Sequence, residues 1–274
     1  MTTATSKPPF QLELVDPALK PPLKWAGGKS HLVPRLAALY APHRHRRLVE
    51  PFAGGLAVSL GLRPDCALIN DINPHTINFY QQLSDGLVIE MDMANDARCY
   101  YAARDRFNAL MRQGEIFGRE QAALFYYLNR TCYNGLCRFN SRGEFNVPFG
   151  QYKTIHYRGD FSAYRPVLSR GSFCWGDFER LKLEPEDWVY LDPPFDVEFT
   201  RYAKDDFTWD DQVRLARWAA RHPGPIAASN QATERILHLY LSLGFQITVL
   251  SAPRRIACNG DRTPAAEILA TRNL

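Results

Sequence analysis

Short apolar runs alternate with a glycine-rich turn near the start of the chain, and this pattern predicts alternating strands and helices. Arg47–Glu50 (RLVE) is predicted as a short strand, Pro51–Gly55 (PFAGG) as a turn and Leu56–Leu62 as a helix of small residues. Cys66–Asn70 (CALIN) is predicted as a second strand, and Asp71 follows it. This order is typical of the opening of a doubly wound nucleotide-binding sheet, in which ligands bind at the carboxyl ends of the strands.

A second alternating stretch lies late in the chain and predicts the rest of the same sheet. Its elements are a buried strand over Trp188–Leu191, an amphipathic helix over Asp210–His222, a strand over Pro225–Ser229, a helix over Ala232–Leu243 and closing strands over Phe245–Leu250 and Glu267–Thr271. We expect the two closing strands to pair with each other in antiparallel fashion.

The part between these stretches, residues 77–158, is helical and aromatic at first and then rich in Gly, Asn and Arg. We therefore expect an α/β fold in which one sheet domain, formed by 23–76 and 159–274, is interrupted by an insert. The insert, 77–158, is expected to be mostly helical and to end in a β-hairpin. Five prolines precede Lys24, so residues 1–22 are expected to form a flexible N-terminal arm.

Positive charge is concentrated in the middle of the chain. The formal net charge is +4, but residues 98–170 contain twelve Lys or Arg and only five Asp or Glu, so the rest of the chain sums to −3. A basic insert in a nearly neutral enzyme domain suits the binding of a polyanion such as nucleic acid, although solvated basic surfaces are also common.

Cysteine spacing and hydropathy exclude two other classes of protein. The six cysteines are scattered without a CxxC pair or histidines at metal-ligand spacing, which indicates reduced thiols and no metal site. No segment approaches the roughly 18 consecutive apolar residues of a membrane span. We therefore expect a cytoplasmic protein without membrane association.

The segment Leu191–Phe195 (LDPPF) carries the strongest chemical signal. An acidic residue directly after a hydrophobic strand and before two prolines forms a stiff turn that presents a side-chain carboxylate and a free carbonyl, both of them acceptors. Two acceptors suit the two hydrogens of an exocyclic amine, and Phe195 offers a flat face on which a base can stack. The alternative is a structural turn in which Asp192 only caps a helix.

With these residues the chain resembles the Dam-type (class alpha) DNA N6-adenine methyltransferases, whose Asp-Pro-Pro-Tyr/Phe loop binds the amine of the target adenine. The resemblance covers nearly all residues after Leu23. It implies a methyltransferase sheet that binds S-adenosyl-L-methionine (AdoMet), releases S-adenosyl-L-homocysteine and carries an inserted target-recognition domain. Asp192, Pro193, Pro194 and Phe195 are the catalytic residues by this resemblance.

The same resemblance assigns AdoMet contacts in three further segments. Lys24–Lys29 (KWAGGK) contributes Trp25 and Lys29, with Lys29 expected to pair with the methionyl carboxylate. A P-loop is the competing interpretation, but no strand or first glycine precedes this segment. The turn Glu50–Gly55 departs from the family pattern F-x-G-x-G, because Leu56 stands where a second glycine is common. The cofactor-binding candidates are Trp25, Lys29, Phe52, Gly54, Gly55, Asp71 (for the ribose hydroxyls), Asp177 (near the cofactor's adenine amine) and Asp192.

Asn129–Gly150 resembles the recognition hairpin of GATC-specific Dam enzymes. Gly and Asn at this density favour a β-hairpin or loop. By the resemblance Arg138 reads guanine, Tyr133 wedges the duplex and the implied target is GATC, with the adenine flipped out of the helix. The DNA-binding candidates are Lys24, Arg130, Tyr133, Asn134, Leu136, Arg138, Asn140, Pro148, Arg255 and Asn259.

Other classes of function remain as alternatives at this point. Related loops act on RNA adenines and on glutamine amides, so an RNA or protein amino-methyltransferase is the second hypothesis, and a non-catalytic DNA-binding protein is the third. The first hypothesis predicts a bacterial or phage-encoded, nucleoid-associated enzyme that acts on double-stranded DNA with no obligate protein partner. It needs no metal, because the sulfonium of AdoMet is already an activated methyl donor. A solitary regulator, a phage-borne protector and a restriction-modification partner all fit the sequence.

Overall fold

A twisted sheet forms the centre of the protein. The structure, a computed structural model, describes residues 19–196, 207–252 and 265–274. The described strands form one seven-stranded sheet in the order β3-β2-β1-β4-β5-β7-β6. They are β1 (Leu48–Glu50), β2 (Ala67–Asp71), β3 (Gly171–Trp175), β4 (Trp188–Leu191), β5 (Ile226–Gln231), β6 (Gln246–Ala252) and β7 (Ala265–Arg272).

Helices connect the strands and form the inserted segment. They are α1 (Val33–Tyr40), α2 (Ala57–Leu62), α3 (Pro74–Ser84), α4 (Ala97–Arg112), α5 (Arg119–Thr131), α6 (Arg165–Leu168), α7 (Trp209–Ala220) and α8 (Glu234–Ser242). Several begin with an ordinary N-cap: Asn73 accepts from the backbone N–H of His75, and Thr208 forms a capping box with Asp211. Among the described helices, none is long and apolar enough to cross a membrane.

The strand directions place three loop segments at one edge of the sheet. β1 pairs in parallel with β2 on one side and with β4 on the other, and β5 continues the parallel set beside β4. The carboxyl ends of β1, β2 and β4 therefore meet, which brings together the segments that follow Glu50, Asp71 and Leu191. β7 is antiparallel to both β5 and β6, so the expected antiparallel closing pair is confirmed.

The α/β fold class and the strands expected from the sequence are confirmed, with shifts of one to a few residues at their ends. Three of the described helices and strands have no counterpart in the sequence-based expectations: α1, α6, and β3 at the edge of the sheet. Helix α3 begins at Pro74 and spans the expected boundary between 76 and 77. It packs against β2 and β3 and also against α5, so it joins the sheet to the insert.

The expected hairpin over Asn129–Gly150 is only partly present. Asn129–Thr131 belong to the last turn of α5, so the expectation of a hairpin or loop is wrong for these three residues. Residues 132–150 contain two isolated antiparallel bridges, Cys132 with Phe149 and Phe139 with Phe145, instead of a continuous pair of strands. Glycines, asparagines and a proline interrupt any longer ladder here.

Aromatic side chains bind the insert to the sheet domain. Phe79 on α3 stacks on Tyr126 of α5 with ring centroids 5.4 Å apart, and Phe161 meets both rings edge-on. All three are buried in one cluster that also contains Leu48 of β1. Because each aromatic ring buries a large apolar area, this shared core holds the insert in a fixed place relative to the sheet. Residues 129–150 of the insert are called the recognition segment below, after the resemblance described above.

Candidate active site and DNA interface

One cavity lies at the edge of the sheet where β1, β2 and β4 end. Its volume is about 730 Å³, and it runs from the glycine-rich turn to the Asp-Pro-Pro-Phe turn. This size is within the range of small-molecule and cofactor sites. Every residue that sequence analysis assigned to catalysis or to the cofactor lines it: Trp25, Lys29, Phe52, Gly54, Gly55, Asp71, Asp177, Asp192, Pro193, Pro194 and Phe195.

Trp25 packs directly on the glycine-rich turn. A Cβ added at Gly54 would lie 2.5 Å from Trp25 Nε1, and Gly54 also has a left-handed backbone with φ +46°. Gly54 is therefore required both by its conformation and by the close approach of the indole. The next-but-one residue, Leu56, is also left-handed, with φ +59°. The turn thus keeps at Leu56 the backbone conformation that a glycine would adopt at lower cost.

Asp71 ties the glycine-rich turn to the end of β2. Its Oδ2 accepts from the backbone N–H of Gly54 at 2.8 Å, and its Oδ1 accepts from the backbone N–H of Asn73 at 2.9 Å. Burial raises the pKa of this carboxyl, and the two backbone hydrogen bonds oppose that shift. Each carboxylate oxygen can accept a second hydrogen bond, so Asp71 can still receive a hydroxyl from a ligand in the cavity.

Glu50 is a buried cavity residue that sequence analysis did not assign. Its Oε2 accepts from the backbone N–H of Ser59 at 3.1 Å and from the Ser59 hydroxyl at 2.5 Å. Complete burial raises the pKa of Glu50 to about 8, in spite of these hydrogen bonds. The signal in the sequence was an acidic residue at the end of an apolar strand, beside a turn already expected to bind the cofactor.

Asp177 is paired with an arginine from α7. Arg214 bonds to both carboxylate oxygens at 2.9 and 2.8 Å, and this interaction lowers the pKa of Asp177. The Arg214 guanidinium also lies 4.4 Å from the ring centroid of Phe178. Arg214 and Phe178 both line the cavity. Their partners are distant along the chain, so neither could be assigned from local sequence.

The carboxylate of the Asp-Pro-Pro-Phe turn lies in a network of buried polar groups. Asp192 Oδ1 is 2.9 Å from Lys29 Nζ and accepts from the Ser229 hydroxyl at 2.8 Å. The Ser229 hydroxyl is in turn 2.9 Å from the hydroxyl of buried Tyr190. Burial raises the pKa of Asp192, and the Lys29 ammonium opposes that rise. Both described contacts are made to the same oxygen of the carboxylate.

Lys29 lies inside the cavity wall rather than in solvent. Besides Asp192, its ammonium donates to the carbonyl of Gly27 at 2.6 Å and lies 4.4 Å from the ring centroid of Phe195. Glu267 is 3.8 Å away, and its other oxygen is 2.9 Å from His31 Nε2. The structure thus pairs Lys29 with Asp192 of the Asp-Pro-Pro-Phe turn, while its expected contact with a cofactor carboxylate stays a prediction.

Four of the DNA-binding candidates present exposed surface in the recognition segment: Tyr133, Asn134, Arg138 and Pro148. Tyr133 is 51% exposed, which is unusual for a large aromatic side chain and leaves its ring free to contact a partner. Arg138 Nε donates to Asn146 Oδ1 at 2.9 Å, which orients the guanidinium. Leu136 is half-buried and packs against the core.

Three other candidates have internal partners in this structure. Lys24 Nζ donates to the carbonyl of Arg130 at 2.9 Å, and burial lowers the pKa of Lys24 to about 8. The Arg130 guanidinium bonds to the carbonyl of His156. Asn140 Oδ1 accepts from two backbone N–H groups of its own turn. Arg255 and Asn259 lie outside the described residues.

Comparison with known proteins identifies the family of the chain. The family model described as D12 class N6 adenine-specific DNA methyltransferase matches residues 25–256. The retron Ec67 DNA adenine methylase of Escherichia coli is 35% identical over 262 residues, covering 90% of both chains. The DNA adenine methylase of Vibrio cholerae serotype O1 is 35% identical over 269 residues, covering 90% of this chain and 94% of that protein. The type II methyltransferase M.MjaIII of Methanocaldococcus jannaschii is 32% identical over 276 residues, covering 89% and 95%. The chain therefore belongs to the D12 class of N6 adenine-specific DNA methyltransferases.

Proposed function

We propose that this DNA adenine methyltransferase acts on the adenine of GATC in duplex DNA, and that it takes the target base out of the helix before methyl transfer. The observation that supports the reaction is the single cavity that joins the glycine-rich turn to Asp192 and Phe195. One end has the features of a nucleoside-binding site, and the other offers hydrogen-bond acceptors beside an aromatic ring. A base within a duplex cannot reach such an enclosed turn, which is why flipping is part of the proposal.

The glycine-rich end of the cavity suits AdoMet. In this proposal Asp71 receives the ribose hydroxyls, while Phe178 and exposed Ile72 provide apolar faces in the same cavity wall for a purine ring. Burial keeps Glu50 largely protonated near neutral pH, and a cationic ligand in the cavity would favour its ionised form. AdoMet, when bound, supplies a methyl group already activated by its sulfonium.

The Asp192 turn prepares the amine for attack. Because Lys29 and Ser229 hold Oδ1, we assign Oδ2 and the Pro193 carbonyl as acceptors for the two N6 hydrogens. Accepting both hydrogens draws the nitrogen towards sp³ geometry and localises its lone pair. As the N–CH₃ bond forms and the CH₃–S bond breaks, the nitrogen loses one proton, and Asp192 is the group that receives it. Burial raises the pKa of Asp192 and so makes it a stronger base for this step.

The recognition segment supports a duplex substrate. Exposed Arg138 suits bidentate pairing with guanine O6 and N7 in the major groove. Exposed Tyr133 can occupy the space that the extruded base leaves in the stack. The excess of basic residues over 98–170 favours the phosphate backbone. Recognition of a protein or amide substrate does not require this combination of an exposed arginine, an exposed aromatic ring and excess positive charge.

Replacement of the catalytic carboxylate tests the chemistry. Asp192→Ala is expected to reduce single-turnover methylation of duplex DNA by at least about a thousandfold, since both amine activation and proton acceptance are lost. Asp210→Ala, at an exposed position on α7, is the control and is expected to keep the activity of the unmodified protein. Methylation by Asp192→Ala at a rate near that of the control would refute the assignment.

Target choice needs a separate test. The protein would be expressed in a host without adenine methylation, and its plasmid digested with nucleases that differ in their tolerance of methylated GATC. Protection is expected only from the nuclease that methylated GATC blocks. Unaltered cutting by all of them, with N6-methyladenine still detected in the DNA, would refute GATC while leaving adenine methylation in place. Addition of EDTA to the purified reaction is expected to leave the rate unchanged.

A further inference from the structure

Between the Cα atoms of Asp192 and Phe195, the backbone of the catalytic turn has one rotatable torsion that its own covalent structure does not restrict. The rings of Pro193 and Pro194 fix φ at both positions. The residue before a proline is confined to extended ψ values, which restrains ψ at Asp192 and at Pro193. The torsion that remains is ψ of Pro194, and it determines the direction in which the chain continues to Phe195. Local sequence alone therefore fixes the carboxylate and the Pro193 carbonyl more tightly than the aromatic ring.

A buried glutamine from α7 restrains this torsion. Gln212 Nε2 donates to the Pro194 carbonyl oxygen at 2.8 Å, and the Gln212 side chain is fully buried. Rotation about ψ of Pro194 would swing that carbonyl away from its donor. Inside the protein the loss would be costly, because a buried polar group without a partner is expensive.

A second buried amide holds the glutamine and the other side of Phe195. Asn230 on β5 donates from Nδ2 to Gln212 Oε1 at 2.9 Å. Asn230 Oδ1 accepts from the backbone N–H of Gln231 at 2.8 Å and lies 3.4 Å from the backbone N of Asp196. The peptide groups on both sides of Phe195 are thus bound by one pair of amides, Gln212 and Asn230.

Asp196 is also anchored by its side chain. Its carboxylate, which is buried, bonds to the Arg235 guanidinium and accepts from the Thr233 hydroxyl at 3.1 Å. The residue that follows the aromatic ring is therefore attached to the beginning of α8. The Phe195 ring itself is half-exposed towards the cavity. The backbone of Phe195 is thus restrained on both sides, while part of its ring surface is accessible.

We infer that Gln212, supported by Asn230, is a positioning residue for methyl transfer: it fixes the Phe195 ring at the place where the target adenine stacks. The inference rests on the proposed function, in which Phe195 stacks on the base. Gln212 itself touches the Pro194 backbone and acts through Phe195. Its removal should impair the reaction of bound DNA far more than the binding of AdoMet at the glycine-rich end.

The test compares Gln212→Met with a matched substitution, Gln121→Met. Both glutamines are buried and lie on helices, but Gln121 is on α5 in the insert, and its side-chain amide has no hydrogen-bond partner among the described residues. With enzyme in excess and DNA and AdoMet saturating, Gln212→Met is expected to lower the single-turnover rate about 10-fold to 100-fold. Its AdoMet dissociation constant should stay within about twofold, and Gln121→Met should change neither quantity by more than that.

A double-mutant cycle with Phe195→Ala separates positioning from general damage to the fold. If Gln212 acts through Phe195, adding Gln212→Met to Phe195→Ala should lower the rate by less than about twofold. An equal loss in both backgrounds, or no loss in the single variant, would overturn the inference. Should Phe195→Ala be too slow to measure, the cycle is read from the affinity for duplex DNA in the presence of S-adenosyl-L-homocysteine.

Further variants separate a failure of this inference from a failure of the proposed function. Gln212→Glu retains an acceptor for Asn230 and replaces the amide donor to Pro194 with a carboxyl group, which has no hydrogen to donate once it ionises. It replaces Gln212→Met if the latter does not fold, as judged by circular dichroism, and it is assayed over a range of pH because burial favours the protonated carboxyl. Activity retained by Asp192→Ala would contradict the proposed chemistry, and activity retained by Phe195→Ala would contradict the stacking role. Loss of activity in both of these, with Gln212→Met and Gln212→Glu fully active, would refute the positioning role alone.

Discussion

The buried carboxyl of Glu50 makes stability depend on pH in a direction that can be calculated. Burial raises the pKa of Glu50 from 4.5 to about 8. The folded protein therefore binds the proton more tightly than the unfolded chain, so its stability falls as pH rises from 4.5 to about 8 and is constant above that range. One pKa unit corresponds to about 1.4 kcal/mol, so this single group can lower the free energy of unfolding by roughly 3 kcal/mol between pH 5 and 7.5.

Glu50→Gln removes this dependence while keeping an amide oxygen that can accept from Ser59. Urea unfolding between pH 5 and 8, followed by circular dichroism, would give the free energy of unfolding of both proteins. The variant is expected to gain stability relative to the parent as pH rises, by about 1.4 kcal/mol per pH unit at most, with the full difference reached near pH 8. Glu90→Gln, at an exposed glutamate, controls for the change of carboxylate to amide.

The comparison between variants isolates Glu50 from the other titrating groups. Burial also raises the pKa of Asp71 and of Asp192, but both carboxyls remain in each protein and their contributions largely cancel in the difference. A free-energy difference that does not change with pH would refute the reasoning. It would mean that Glu50 ionises normally in the folded protein, through water or structural relaxation that offsets burial.

Two further predictions concern the backbone and the link between segments. Leu56→Gly should be more stable than Leu56→Ala by about 1 kcal/mol, the reverse of the usual order near a helix. Both variants lose the buried leucine side chain, but only alanine keeps the cost of a left-handed backbone. Equal or reversed stabilities in thermal unfolding would contradict this prediction. Asn129→Ala should weaken AdoMet binding by about fivefold to tenfold, which corresponds to the loss of roughly one or two hydrogen bonds. The Asn129 side chain bonds to the backbone N–H and carbonyl of Lys24, and Lys24 precedes Trp25 at the proposed cofactor site. Asn108→Ala removes the same kind of clamp from Phe145 and should leave that affinity unchanged in calorimetry; an equal loss in both variants would show a general effect on the insert.

The sheet and the cavity could be predicted because their signals are local. Short buried runs such as Leu48–Glu50 and Trp188–Leu191 are flanked by turn residues, and the ligand-binding edge follows from parallel strand order. Strand β3 was not predicted because it lies at the edge of the sheet, where its short sequence, Gly171–Trp175, is only partly buried. The expectation for Asn129–Thr131 was wrong because asparagine and threonine are weak helix formers, whereas here burial at the end of α5 keeps them in the helix.

The partners of the site residues could not be predicted, because they depend on contacts between distant parts of the chain. Lys29 and Asp192 are 163 positions apart, and only the folded structure brings the ammonium of Lys29 to the carboxylate of Asp192. Gln212 carries no motif at all, since a glutamine in an amphipathic helix is ordinary. The contact between the Gln212 amide and the Pro194 carbonyl depends on the folded structure and has no counterpart in the sequence pattern.

Lys24 and Trp25 connect the two binding functions through adjacent residues. The backbone of Lys24 is clamped by Asn129 at the end of α5, from which the recognition segment begins. Trp25, the next residue, lies against Gly54 in the turn that we assign to the cofactor. A ligand that fixes Trp25 must therefore also restrict Lys24 and the neighbouring recognition segment. We therefore expect the bound cofactor to raise the affinity for cognate DNA. Because linkage is reciprocal, cognate DNA should raise the affinity for the cofactor by the same factor. The buried clamp between Asn129 and Lys24 thus gives a structural reason for the two substrates to bind cooperatively.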